Sequence, residues 1–303
     1  MKEIAFGIHQ GQILGLIGES GSGKSVASQC LTRLIDDANL TGEVLFSHKD
    51  TLVDLLTADE ATLREIRKHE IAYIFQEPMT ALNPLIPCGK QILECSTAQS
   101  PEILSELLEK VELTDTKRVA ASYPHELSGG QRQRIMIAMA LAKKPKLLIA
   151  DEPTTALDIA VQTGILALLK KLSREENMGI LFITHDLGVI AQTADQVAVM
   201  YLGKLIEKGS VRQVLRNPGH PYTRGLLEAL PRLDDLDRPL KPVKGDIPSP
   251  LDRPSGCVFN TRCPVSLGSE CETIIPEFTT NKDGQQVACI LAEKEAQKEE
   301  AEA

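Results

Sequence analysis

The sequence predicts an α/β fold built around a mostly parallel sheet, followed by a small cysteine-bearing extension. Three observations carry this. Short apolar runs, ILGLI (13–17), KLLIAD (146–151) and GILFIT (179–184), each end in glycine, acidic or hydroxyl residues. Buried strands of a parallel sheet read as such unbroken runs, and ligand groups gather at their carboxyl ends. The first run opens into a glycine-rich loop and then SVASQCLTRLI (25–35), whose apolar spacing suits a helix. Past Asn217 the composition changes: eight prolines fall within residues 217–254, and four cysteines follow at 257, 263, 271 and 289.

Each element follows in chain order. Strands are expected at 13–17, 43–47, 71–75, 147–150, 180–184, 197–200 and 204–207. A helix is expected over about 161–175, with Val161, Ile165, Leu168, Leu169 and Leu172 along one face as core packing. RQRIMIAMALA (132–142) reads as another helix. There is no internal repeat. The proline-rich stretch is too broken for regular structure and suits a stiff connector, while the last residues, AEKEAQKEEAEA, read as a solvated or frayed helix.

Composition sets the outer limits. At 303 residues the chain has room for one large domain and a smaller one. It is 42% hydrophobic and 25% charged, ordinary values for a globular protein. A net charge of −9 argues against a protein that coats nucleic acid, which needs clustered Lys and Arg to replace counterions. The longest apolar run, IMIAMALA, has eight residues, far short of a membrane helix. Glu3, His9 and Gln10 interrupt the start where a signal peptide needs apolar residues. A reducing, cytosolic setting is therefore expected, and seven cysteines, an odd number, argue against a disulfide framework.

The loop after the first run, GESGSGKS (18–25), fits G-x-x-x-x-G-K-[ST]. Its glycines let backbone N–H groups close around phosphate oxygens, and the helix start adds its dipole. Gly18, Ser20, Gly21, Ser22 and Gly23 form the cradle, Lys24 reaches the β/γ-phosphates, and Ser25 holds Mg²⁺. The second run ends in Asp151, placed to orient the Mg²⁺ shell, and Glu152, placed to polarise water. The third presents His185, which can hydrogen-bond a γ-phosphate, and YIFQEP (73–78) offers Gln76 to Mg²⁺ or the lytic water. ELSGGQRQR (126–134) sets Ser128, Gly129, Gly130 and Gln131 at a helix start, a second anion-binding device in a chain with one nucleotide motif. A dimer in which this loop caps the partner's γ-phosphate accounts for both.

Taken in order, Gly18–Ser25, Gln76, LSGGQ, LLIADE, ALD (156–158) and His185 resemble the nucleotide-binding domain of an ABC transporter over about residues 4–215. The resemblance implies a P-loop NTPase (RecA-like) core with an antiparallel β part and an inserted helical subdomain at about 79–140. It implies a head-to-tail dimer around two ATP molecules, in which Ser128 and Gly130 touch the opposing ATP and Asp158 couples the subunits. ABC cassettes also carry a strand and an adenine-stacking aromatic upstream of the position where this sequence begins; Phe6, alternating with Ile4 and Ile8, reads here as a core strand residue.

HPYTRGLLEALP, the proline segment and GCVFNTRCP resemble the C-terminal extension of the ATP-binding subunits of dipeptide and oligopeptide importers, which have nickel-importing relatives. Two domains are expected, 1–215 and 216–303. The resemblance implies an ATPase that powers import from the cytoplasmic face of the membrane. Its partners would be a second, F-type ATPase subunit or a second copy of itself, two membrane permease subunits and, indirectly, an extracytoplasmic substrate-binding protein. Nickel import is the alternative, with a soluble non-transport ABC ATPase behind it. The spacing C-x5-C-x7-C-x17-C of Cys257, Cys263, Cys271 and Cys289 is unlike the close pairs of structural zinc sites. Pro264 follows Cys263 as proline often follows a cluster ligand. The segment has few apolar residues to form a core, so a bound metal or cluster would supply folding energy that packing cannot. The resemblance adds that some peptide-importer ATPases carry a [4Fe–4S] cluster on such a motif, which makes a cluster the first expectation, zinc the second and four free thiols the third. Cys30, Cys88 and Cys95 read as ordinary core or surface residues.

Overall fold

A computed structural model describes residues 4–76, 81–155, 157–230 and 241–301. The chain forms two compact units, one of Ile8–Ile13 and Ser28–Ile183, the other of Met1–Gly7, Leu14–Ala27 and Thr184–Ala303. In chain order the strands described are β1 (Ile13–Ile17), β2 (Leu45–His48), β3 (Thr51–Asp54), β4 (Ile71–Ile74), β5 (Leu147–Asp151), β6 (Gly179–Thr184), β7 (Gln196–Tyr201), β8 (Lys204–Ser210), β9 (Thr279–Thr280) and β10 (Gln286–Val287).

In the first unit β4, β5 and β6 run parallel, with Ala72 opposite Leu148 and Leu148 opposite Ile180. Leu148, Ile149, Ala150 and Ile180–Ile183 are fully buried, as unbroken apolar runs require. The helix Ile159–Glu175 starts two residues before the expected position because Asp158 caps it, its side chain accepting from the Val161 amide. Ile165, Leu168, Leu169 and Leu172 are buried as the stripe predicts, whereas Val161 is half-buried. Between β4 and β5 the chain forms helices Cys88–Cys95, Pro101–Lys110, Thr116–Ala121 and Gly129–Leu141. The expected strand at 43–47 is half of an antiparallel hairpin, β2–β3, which turns through Lys49 and Asp50 at φ 47° and 62°.

In the second unit β1 lies parallel to β7, and β7 turns back into antiparallel β8 through Leu202 and Gly203 at φ 44° and 71°. β10 adds to β8 and β9 to β10, both antiparallel. Three readings of the sequence are corrected here. Residues 4–8 form no strand and Phe6 is only half-buried; the Ala5 carbonyl accepts from Lys208 Nζ at 3.0 Å, so apolar alternation there has no ladder to join. The proline-rich stretch contains a helix, Pro221–Glu228, because Pro221 occupies the first helical position, where no N–H is needed. The extension also has a core: Tyr222, Phe259, Val258, Val287, Ala288 and Ile290 are buried. Tyr201, Tyr222 and Phe259 meet with ring centroids 4.8–5.4 Å apart. A few large rings supply what a count of apolar residues misses.

Candidate nucleotide site and cysteine pocket

The phosphate loop starts where β1 ends. Gly18 is required: at φ 155° a Cβ there would stand 2.1 Å from the Met200 carbonyl oxygen and 2.8 Å from Ser22 Oγ. The loop closes through Ser22 N–H to the Glu19 carbonyl at 3.1 Å and is held by Gly203 N–H to the Ser22 carbonyl at 2.8 Å. Lys24 is buried, and its Nζ donates to the carbonyls of Gly18 (2.8 Å) and Glu19 (3.1 Å). It therefore sits folded over the loop, where a phosphate oxygen can take it. Ser22 Oγ is buried and has no hydrogen-bond partner among the described residues. An orphaned hydroxyl inside a glycine loop fits an anion. Ser20 and Gly21 are exposed on the loop, and Ser25 lies in the first turn of the helix Lys24–Leu31.

The carboxylate group belongs to the other unit. Asp151 is buried at the end of β5, and its Oδ2 accepts from Tyr73 Oη at 3.3 Å. Tyr73 Oη also pairs with Ser28 Oγ at 2.8 Å. Burial, with Asp151 beside it, pushes the phenol up to about 12, so it stays a neutral donor that orients Asp151. Glu152 occupies left-handed backbone at φ 47°, where its N–H donates to the Ile183 carbonyl at 2.9 Å. Its carboxylate accepts from Gln76 Nε2 at 3.1 Å and from Thr155 Oγ1 at 3.0 Å. Gln76 and Glu152 were expected on one nucleotide, and here they touch. Tyr73, Thr155 and Ser28 escaped sequence reading. Tyr73 stands two residues before Phe75 on an apolar run, which gives no sign of a polar role.

Ser128 caps the helix Gly129–Leu141 in a reciprocal box with Gln131, whose Oε1 accepts from the Ser128 amide at 3.0 Å. Gly130 packs tightly, since a Cβ there would come within 2.6 Å of Val161 Cγ1. Gly129 opens the same helix, and Asp158 is spent locally as a cap. His185 is exposed directly after β6, and Asp186 caps the helix Leu187–Thr193 behind it.

In the extension Cys257, Cys263, Cys271 and Cys289 line one pocket with His220 and Phe259. All four are free thiols. Burial, and then the three neighbouring thiols, push Cys257 up to about 11, although the Phe259 amide donates to it. Cys263 and Cys289 are also raised, first by burial, while amides of Val265 and of Ala292 and Leu291 face their sulfurs. The Leu267 N–H donates to Cys271 Sγ at 3.4 Å. Each sulfur thus has a backbone amide aimed at it, while burial holds Cys257, Cys263 and Cys289 toward the neutral thiol. His220 is fully buried; its Nδ1 accepts from the Tyr222 amide at 3.0 Å, which leaves the proton on Nε2. That Nε2 has no partner among the described residues. Among the described residues no group of three His, Cys, Asp or Glu is arranged to hold a single metal ion.

Comparison with known proteins decides the family. Residues 1–155 match the family described as ABC transporter. A putative peptide import ATP-binding protein of Brucella ovis is 43% identical over 96% of this chain and 90% of its own length. The chain belongs to the ABC transporter family. Its C-terminal part, residues 206–271, matches the family described as oligopeptide/dipeptide transporter, C-terminal region. The oligopeptide transport ATP-binding protein AppD of Bacillus subtilis is 42% identical over 96% of this ABC ATPase and 90% of its own length. Among solved structures, the ABC transporter cassette MJ0796, seen as a dimer, is 31% identical with a TM-score of 0.58. It covers 68% of this chain and 88% of its own. Among the described residues of the ABC ATPase no helix is long and apolar enough to cross a membrane.

Proposed function

We propose that this ABC ATPase powers the import of dipeptides and oligopeptides. The match of residues 206–271 to the oligopeptide/dipeptide transporter C-terminal region carries the reading, because it stands beside an intact phosphate loop. Lys24, Ser22 and the loop amides of residues 18–23 bind the phosphates. The family resemblance assigns Ser25 and Asp151 to Mg²⁺, which offsets phosphate charge when bound, and Tyr73 keeps Asp151 oriented. Glu152 takes the proton of the attacking water, with Gln76 and Thr155 fixing its carboxylate. His185 hydrogen-bonds the γ-phosphate. Ser128, Gly129, Gly130 and Gln131 present a helix N-terminus to the nucleotide of a second ATPase subunit, and Asp158 lies at that contact. Two membrane permeases and an extracytoplasmic binding protein complete the importer, with this chain peripheral on the cytoplasmic face.

The four C-terminal cysteines hold an iron–sulfur cluster in this reading. Amides directed at every sulfur, and the unpartnered Nε2–H of His220 at the same pocket, support a ligand rich in acceptors. The wide spacing C-x5-C-x7-C-x17-C is unlike the close cysteine pairs of a structural zinc site and suits a cluster, which spreads its thiolate ligands over several irons. Bound there, a cluster would cross-link the loops of the extension. Anaerobic preparations are expected to be brown, with iron and sulfide near four each per chain. One zinc, or no metal, overturns the assignment.

Transport is tested in cells from which the chain is deleted. Uptake of labelled di- and tripeptides should fall and return with the wild-type gene but not with Glu152→Gln. Normal peptide uptake with lost nickel accumulation would instead select the nickel reading.

A further inference from the structure

The phosphate loop is gripped from the far end of its own chain. Arg262, between Cys257 and Cys263, is 4% exposed in its side chain and meets the Glu19 carboxylate side-on. Its Nη1 donates to Glu19 Oε2 at 2.8 Å and its Nη2 to Oε1 at 3.2 Å. Its remaining donors are used too: Nε to the Lys244 carbonyl at 3.0 Å, Nη2 to the Val243 carbonyl and Nη1 to Tyr201 Oη, both at 3.4 Å. The same Glu19 donates its backbone N–H to Tyr222 Oη at 2.9 Å, and that ring is fully buried.

Glu19 is the second residue of the loop, and its carbonyl accepts both the Ser22 amide and Lys24 Nζ. Side chain and backbone of one loop residue are thus both fixed by the extension. A two-pronged pair between a buried guanidinium and a part-buried carboxylate sets direction as well as distance. A lone lysine could not reproduce it. Nothing in nucleotide chemistry requires an acidic residue at this position, since its charge opposes the phosphates. Its partner explains it.

We propose that Arg262 and Tyr222 of the C-terminal extension are positioning residues for ATP: through Glu19 they hold the phosphate loop in its binding conformation and offset its negative charge. This rests on the assignment of the loop to nucleotide. The contact acts on the cradle in ground and transition state alike. Its loss should therefore raise KM and leave kcat nearly unchanged, the mark of uniform binding.

The test uses the full chain and a fluorescent ATP analogue, with ATPase kinetics alongside. Because Arg262→Ala can unfold the extension, Arg262→Gln and Arg262→Lys are the primary variants, checked for unchanged melting. Both break the two-pronged pair while Glu19 keeps its charge in the loop. Each should weaken nucleotide binding and raise KM by about tenfold. Glu19→Ala combined with Arg262→Ala should cost no more than the worse single change. Affinity and KM within twofold of wild type in both primary variants overturn the proposal, as does an additive double variant or a loss confined to kcat. Wild-type protein that binds no nucleotide would refute the loop assignment instead.

Discussion

Glu152 carries two unusual features at one residue, left-handed backbone and a carboxylate held by Gln76 and Thr155. A non-glycine residue in that region costs on the order of 1 kcal/mol or more and persists where surrounding structure dictates it, often at reacting groups. Glu152→Gln keeps the shape and removes the base. Hydrolysis is expected to fall by about a hundredfold or more while nucleotide affinity holds; full turnover in a clean preparation would refute the base assignment. Lys24→Ala should act earlier, weakening binding of ATP itself, as equilibrium titration will show. A third residue answers to pH. Burial raises the Glu207 carboxyl although amides of Gly219 and His220 donate to it at 2.7 and 3.0 Å. The native state then binds this proton more tightly than the unfolded chain. Its contribution to stability is full below the ordinary carboxylate range and is lost as pH rises through the folded value. Urea midpoints measured from pH 4 to 7 should show this fall in the wild type and a flatter profile in Glu207→Gln. Parallel profiles would contradict it.

At the scale of elements, the caps do double duty. Ser128 and Asp158 are the residues that the family resemblance places against a partner, yet in this chain each closes a helix start. The two roles separate by substitution. Asp158→Asn keeps a capping oxygen and should melt like wild type, whereas Asp158→Ala should lose about 1 kcal/mol; an equal loss in both would assign the effect to charge. Packing beneath is worth more. Leu169 is fully buried on the same helix, and Leu169→Ala should cost about 2–5 kcal/mol in chemical denaturation. Elements were legible where one rule sufficed. Apolar runs placed β1, β5 and β6 to within a residue, and the stripe from Ile165 to Leu172 chose its buried face. β3 was not legible, because the turn at Lys49 and Asp50 reaches left-handed backbone without the glycine or asparagine that announces it. The helix at Pro221 was hidden by reading proline as a breaker rather than as a first-turn residue.

Across the whole molecule, motifs that read as separate in sequence act as chemical groups only through long-range pairing. Gln76 and Glu152 are 76 positions apart and Glu19 and Arg262 are 243 apart. The first pair could be anticipated, because both residues end apolar runs where a nucleotide would lie. The second could not: an arginine among cysteines and a glutamate in a glycine loop give no sign of each other. That pairing yields a prediction joining both proposals. Cys263 is the residue after Arg262, and the amide of Cys263 bonds to the carbonyl of Asn260 at the end of the same short turn. A cluster held by Cys263 would therefore fix the backbone from which Arg262 reaches Glu19. Cys263→Ser should lower iron content and raise the KM for ATP in the same direction as Arg262→Lys. Combining the two substitutions should add little beyond either alone, because both release one loop. Iron analysis and ATPase kinetics on matched anaerobic samples measure this. If iron is lost while KM stays at the wild-type value, the cysteine pocket and the phosphate loop are independent, and Arg262 holds its position by its own hydrogen bonds.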